Sequence, residues 1–159
     1  LKKGKFDHRE IFLNKVIKAT PNIRFDLYGL NGVQPIWADD YLLAISQSKI
    51  GLNLSQGKAA KYYSSDRFSQ LIGNGLLVML DEKTKIGNFF NKDEIILYNN
   101  ISDLSEKIIK FSNDNKLRNQ IARRGRAKYF KYFNSTIVAE FILNKTFGNK
   151  KSYYWEKNK

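Results

Sequence analysis

Residues 64–80 read SSDRFSQLIGNGLLVML, and their order determines the fold expected for the whole chain. Two hydroxyls, an acid and an arginine precede Phe68, Leu71 and Ile72, which recur at helical spacing. Ser64 or Ser65 is the expected cap of a helix opening there, and Gly73 and Gly75 are expected to end it. The run that follows, Leu76 to Leu80, is apolar at every position. A strand with one wet face would alternate, so this strand is expected to be covered on both faces, as in a parallel sheet.

Working outward, residues 49–55 (KIGLNLS) form the preceding strand, joined to the helix by the polar loop 56–63. Further back, residues 23–29 (IRFDLYG) alternate apolar and polar and run into the loop 30–35, the pattern of another strand. Asp7 and Glu10 resemble a capping box for a helix carrying Phe12, Val16 and Ile17 up to Pro21. Asp39 and Asp40 favour a second helix start, with Leu42, Leu43 and Ile45 facing a core. Beyond Leu80, residues 94–98 give a short strand. Ser102 is the expected cap of a helix with Leu104, Ile108 and Phe111, Leu117, Ile121 and Ala122 mark another, and Ile137, Val138, Phe141 and Ile142 a last one. Strands alternating with helices imply an α/β class, a Rossmann-like parallel sheet flanked by helices. Residues 1–143 are expected to form this domain. Residues 144–159, basic and holding Tyr153, Tyr154 and Trp155 outside any clear period, read as a tail that docks elsewhere.

The chain has 159 residues, the size of one domain, and contains no cysteine and a single histidine, His8. Disulfides, zinc–thiolate sites, thiol nucleophiles and metal sites built on several imidazoles are thereby excluded, while an all-oxygen magnesium site is not. His8, on the first helix, reads as a surface residue. No apolar run approaches the roughly 20 residues that cross a bilayer, and the N-terminus lacks the apolar centre of a signal peptide, so a cytoplasmic location is expected. The chain starts at Leu1, which suggests a piece of a longer polypeptide. The net charge of +13 has two readings. One is a solvated lysine surface in a chain rich in Lys, Asn and Ile. The other is a nucleic-acid face built on Arg123, Arg124, Arg126, Lys128 and Lys131.

Ligands of open parallel sheets lie beyond the carboxyl ends of the strands, which directs attention to three loops. Gly29-Leu30-Asn31-Gly32 would allow backbone amides close to a ligand, although it lacks the Gly-x-Gly-x-x-Gly pattern and also reads as an ordinary turn. Asp81-Glu82-Lys83-Thr84 follows the apolar strand. The third candidate is the helix start at Ser64, Ser65 and Arg67, where unpaired amides, the helix dipole and a guanidinium fork suit a phosphate. Asp66 opposes that reading, because its carboxylate competes with an anion. A capped helix with an Asp66–Arg67 pair is the other reading of the same residues.

The pieces SKIGLNLS (48–55), YYSSDRFSQLIGNGLLVML (62–80) and NDNKLRNQIARRGRAKYFKYFN (113–134) together resemble the C-terminal domain of GT-B glycosyltransferases, especially the group-1 type that includes spore-maturation-like proteins. The resemblance covers residues 24 to about 143 and is most specific over 49–80. It implies a donor-binding half that holds a nucleotide sugar and transfers its glycosyl group to a hydroxyl. The acceptor is expected on an N-terminal domain outside this chain, without which the fragment would be inactive. The expected nucleotide-sugar residues are Asn31, Gly32, Tyr63, Ser64, Ser65, Arg67 and Gln70. Gln70 stands five residues before Gly75, where the family usually has a ribose-binding glutamate. No catalytic residue is assigned, and neither a metal nor a cofactor besides the donor is expected. A peripheral contact of the basic surface with an anionic membrane, at its inner face, is a further expectation, whereas nucleic acid through Arg123 to Lys131 is the alternative function.

Overall fold

The computed structural model describes residues 8–55 and 59–157. Three short parallel strands, β1 (Ile50–Asn53), β2 (Leu77–Asp81) and β3 (Ile96–Tyr98), lie in the order β1-β2-β3. Ile50 aligns with Leu77 and Asn53 with Leu80 in the first pair, and Met79 with Ile96 and Asp81 with Tyr98 in the second. Helices cover the sheet, giving the expected Rossmann-like α/β architecture.

The apolar run on β2 is buried on both faces for the reason its composition suggested. Val78 and Leu80 point into one cluster with Phe68, Leu71, Ile72, Phe89, Phe90 and Ile95. Leu77 and Met79 point the other way, into a cluster with Val16, Leu104, Ile108, Phe111 and Ile121. These residues come from α1 (His8–Ala19), α3 (Asp66–Gly73), α4 (Ile101–Asn113) and α5 (Asn115–Tyr132), except Phe89, Phe90 and Ile95, which lie on the chain between β2 and β3. The connection from β2 to β3 contains two 3₁₀ turns, Glu82–Thr84 and Ile86–Asn88, in place of an α-helix.

Several local expectations are corrected. Residues 23–29 belong to no strand, and bends fall at 23, 28 and 29, so the sheet has three strands among the described residues. Of the apolar residues on α2 (Ala38–Gln47), Ile45 alone is buried, and Leu42 and Leu43 are each 56% exposed. Asn100 caps α4 in place of Ser102, its Oδ1 accepting from the Asp103 amide at 3.0 Å. Asp7 lies outside the described residues, and its expected partner Glu10 instead accepts a hydrogen bond from the amide of Asn31.

The C-terminal residues fold back on the same domain. α6 (Ser135–Thr146) runs through residue 144, and α7 (Tyr154–Lys157) follows. Tyr154 stacks on Tyr132 at 4.2 Å, Trp155 on Phe133 at 5.7 Å, and Tyr153 meets Phe141 at 5.2 Å. The three aromatics had no period of their own because they fill gaps between two helices. Docking elsewhere is replaced by docking at home for residues 153–157.

Candidate functional site

The carboxyl ends of the three parallel strands, Asn53, Asp81 and Tyr98, share one edge of the sheet. Asn53 is the informative one. A polar side chain only 6% exposed requires a partner, and its Oδ1 accepts from the Ser65 hydroxyl at 2.9 Å. That bond fastens the start of α3 to the end of β1. Ser65 occupies the N-cap position with extended backbone, yet it forms no side-chain cap, because its hydroxyl is directed to Asn53. No side chain therefore caps the opening amides of α3, of which that of Phe68 donates to the Ser65 carbonyl at 2.9 Å.

Arg67, on the first turn of α3, is exposed and reaches back so that Nη1 lies 3.4 Å from the carbonyl of Leu54. It stands over the exit of β1. Asp66 and Arg67 form no ion pair with each other among the described residues. Asp66 is instead exposed in the first turn, where a carboxylate complements the helix dipole. Gln70, one turn further on, accepts a hydrogen bond through Oε1 from the Tyr41 hydroxyl of α2 at 2.6 Å. Among the described residues its amide nitrogen donates to no acceptor.

Tyr63 and Ser64 are exposed on the approach to α3, and the Tyr63 amide donates to the Ala60 carbonyl. The residue before them anchors this loop. Tyr62 has left-handed backbone (φ 62°), donates its amide to the Thr84 carbonyl at 2.7 Å, accepts from Asn88 on its hydroxyl and packs on Phe89. The loops following β1 and β2 are thus tied together.

The structure gathers Ser65, Arg67 and Gln70 on α3 with Ser64 and Tyr63 just before it. It does not bring Asn31 and Gly32 into bonding contact with them. Asn31 exchanges side-chain hydrogen bonds with Asn14 and donates its amide to Glu10, which attaches the turn to α1. Gly29 and Leu30, at the other side of that turn, line a cavity that Tyr41 and Arg67 also border. Asn53 and Tyr41 were missed by the sequence reading. Asn53 carried a usable signal, an asparagine amid the apolar residues of an expected buried strand, whereas the partnership of Tyr41 and Gln70 spans 29 positions and leaves no local trace.

The basic run on α5 is largely engaged. Arg124 pairs with Asp93 at 2.7 Å, and Arg126 donates to the Gly73 carbonyl while stacking on Phe130. Lys128, with its side chain 11% exposed, pairs with Glu94 at 2.7 Å. Burial works against the charge on Lys128, but hydrogen bonds and charge from Glu94 and Tyr154 outweigh it and hold its pKa above the ordinary lysine value. Gly125 explains why α5 comes so near: a Cβ there would lie 2.1 Å from the Glu94 carbonyl oxygen. At the strand ends, burial and then the charge of Asp81 push the Tyr98 phenol far up, so it stays neutral. Among the described residues no group of three His, Asp or Glu side chains stands where a metal ion could be held. None of the described helices is long and apolar enough to cross a membrane.

The fold and this edge define a Rossmann-like α/β domain with a helix start seated on the end of a parallel strand. The sequence pattern of a glycosyl transferase-like family matches residues 9–144, most of the chain, and the chain belongs to that family. No curated protein and no solved structure matches it.

Proposed function

We propose that this chain is the donor-binding, C-terminal half of a GT-B glycosyltransferase of the group-1, spore-maturation-like type. It holds the nucleoside diphosphate of a sugar donor at the start of α3 and transfers the glycosyl group to a hydroxyl on an acceptor bound by an N-terminal domain. The observation that carries this reading is the Ser65–Asn53 bond, which leaves the first amides of α3 uncapped beside the Arg67 guanidinium at the exit of β1. A helix start so arranged suits a diphosphate.

The chemistry follows from charge. As the glycosidic bond breaks, the departing diphosphate gains negative charge, and preplaced N–H donors and a guanidinium stabilise it without having to reorganise. Ser64 and Tyr63 lie on the approach to the same point, and Gln70 offers its amide to a ribose hydroxyl while Tyr41 keeps its carbonyl oxygen oriented. Asn31, with Gly32 beside it, is held against α1 through Asn14 and Glu10. The nucleic-acid reading is less well supported, because Arg124, Arg126 and Lys128 are directed at Asp93, Gly73 and Glu94 within the protein.

Calorimetry with a panel of nucleoside diphosphates tests the proposal. Binding of at least one is expected, and Arg67→Ala should weaken it by about 10- to 100-fold, the range for a lost charge-assisted hydrogen bond. Absence of binding across the panel, or equal affinity in Arg67→Ala, refutes the site.

A further inference from the structure

Asparagine stands before glycine twice in the chain, at Asn31-Gly32 and at Asn74-Gly75. This pair carries its own chemistry. The glycine amide nitrogen, once deprotonated, attacks the side-chain carbonyl carbon of the asparagine, and with no Cβ on the glycine nothing crowds the approach. A large difference between the two pairs must then come from how the fold holds them. Asn74 is the C-cap residue of α3, and both its backbone amide and its side-chain Nδ2 donate to the Gln70 carbonyl, at 3.1 and 2.8 Å. The Gly75 amide, which would have to attack, donates to the Ile72 carbonyl at 3.1 Å, and the Leu76 amide donates to Leu71 beyond it. A Cβ on Gly75 would meet Arg126 Cδ at 3.6 Å, so this turn is packed as well as bonded. Reaction there requires the end of α3 to open.

Asn31-Gly32 is held loosely. Both residues are exposed with left-handed backbone (φ 51° and 76°), and the Val33 amide closes on the Leu30 carbonyl at 3.0 Å, which makes residues 30–33 a type I′ turn. Among the described residues the Gly32 amide donates to no acceptor, and a Cβ on Gly32 would have nothing within 4 Å. The Asn31 side chain is tied to Asn14: its Nδ2 donates to Asn14 Oδ1 at 2.8 Å, and the return bond is a long 3.4 Å. An exposed bond of this kind is worth about 0.5–1.5 kcal/mol, so swinging the side chain toward Gly32 slows the attack by about tenfold at most.

We propose that Asn31 is a site of self-modification, where the chain converts the residue to aspartate and isoaspartate while Asn74 stays intact. The Gly32 nitrogen bonds to Asn31 Cγ, the Cγ–Nδ2 bond breaks, and Nδ2 leaves as ammonia with the proton that the glycine amide gave up. Water then opens the succinimide at either carbonyl, giving the side-chain acid or the isoaspartyl linkage. The product sits badly on α1. It has lost the Nδ2 donor to Asn14, and its new carboxylate lies beside Glu10, whose Oε1 accepts from the residue 31 amide. Like charges this close repel, so modification releases the turn from α1. This chemistry needs no ligand and does not rest on the function proposed above.

Incubation of the folded chain in mildly alkaline buffer, followed by peptide mapping with mass spectrometry that resolves isoaspartate, tests the site. Modified residue 31 should accumulate at least about tenfold faster than modified residue 74. In urea the two rates should converge, because only the fold separates them. Equal rates in the folded chain, or a faster Asn74, overturn the proposal, as does a difference that persists in urea. Release of the turn is read by amide hydrogen exchange on Asn31→Asp, which stands in for the aspartyl product. Its residue 31 amide should exchange roughly fivefold faster than in the parent chain, the equivalent of one lost hydrogen bond, while the Val78 and Leu80 amides stay protected. Unchanged exchange at residue 31 overturns the release.

Discussion

Asn53 and Gly125 show how single residues hold the site and its support. Replacing Asn53 with alanine leaves the Ser65 hydroxyl without its buried acceptor, and a loss of about 1–3 kcal/mol in chemical denaturation is expected. Nucleotide affinity should fall in the same variant, because α3 loses its fastening to β1. Gly125→Ala places a methyl 2.1 Å from the Glu94 carbonyl oxygen, so α5 must back away from the chain leading into β3. Overpacking of this kind costs about 1–3 kcal/mol, measurable as a lowered denaturation midpoint. Both residues are partly legible. An asparagine in an apolar strand announces a required partner without naming it, while Gly125 within RRGR reads as a weak point in a helix until Glu94 is seen against it. Arg67 and Ser65 were legible as a helix start, but the diversion of Ser65 from capping to Asn53 depends on how β1 and α3 meet.

At the scale of elements, the start of α4 is the clearest case. Its cap is Asn100, and the Asp103 carboxylate accepts from Lys107 Nζ at 2.6 Å and from the Asn99 amide at 3.0 Å. The hydrogen bond from Lys107 lowers the Asp103 pKa below 3.8, with burial opposing and the Asn99 amide and the charge of Lys107 adding to it. A lowered folded value means stability that is present above 3.8 and is lost as pH falls through the folded pKa. Asp103→Asn should therefore melt lower than the parent protein near pH 6 by less than about 1 kcal/mol, since the pair is partly solvated, and the difference should vanish in strong acid. Thermal melts from about pH 6 to pH 2 check this. Helices with strong apolar periods were visible in the sequence. Their caps were less so, because Ser102 and Asn100 are both good N-cap types and the choice depends on where β3 releases the chain. The alternation in residues 23–28 announced a strand, yet alternation specifies faces and not a partner.

For the whole molecule, the aromatic cluster closes the domain at its C-terminus. Trp155 stacks on Phe133 and Tyr153 and meets Phe141 edge-on. Trp155→Ala should lower stability by about 2–3 kcal/mol, or roughly 5–10 °C in Tm, read by circular dichroism. A tail that merely trailed from the domain would show no change. The net charge of +13 likewise looked like one property and divides in the fold, since Arg124, Lys128 and Lys145 are paired with acids and much of the remainder is solvated lysine. The sequence by itself determined the α/β class, the doubly covered β2 and the helix start at Ser65 and Arg67, because periodicity and capping act over a few neighbouring residues. Only the tertiary structure decided which hydroxyl joins which strand end, which arginines are engaged and where the last aromatics pack. Those contacts join positions tens of residues apart, such as Tyr41 with Gln70 and Lys128 with Glu94, and such distances leave no period for a sequence to display.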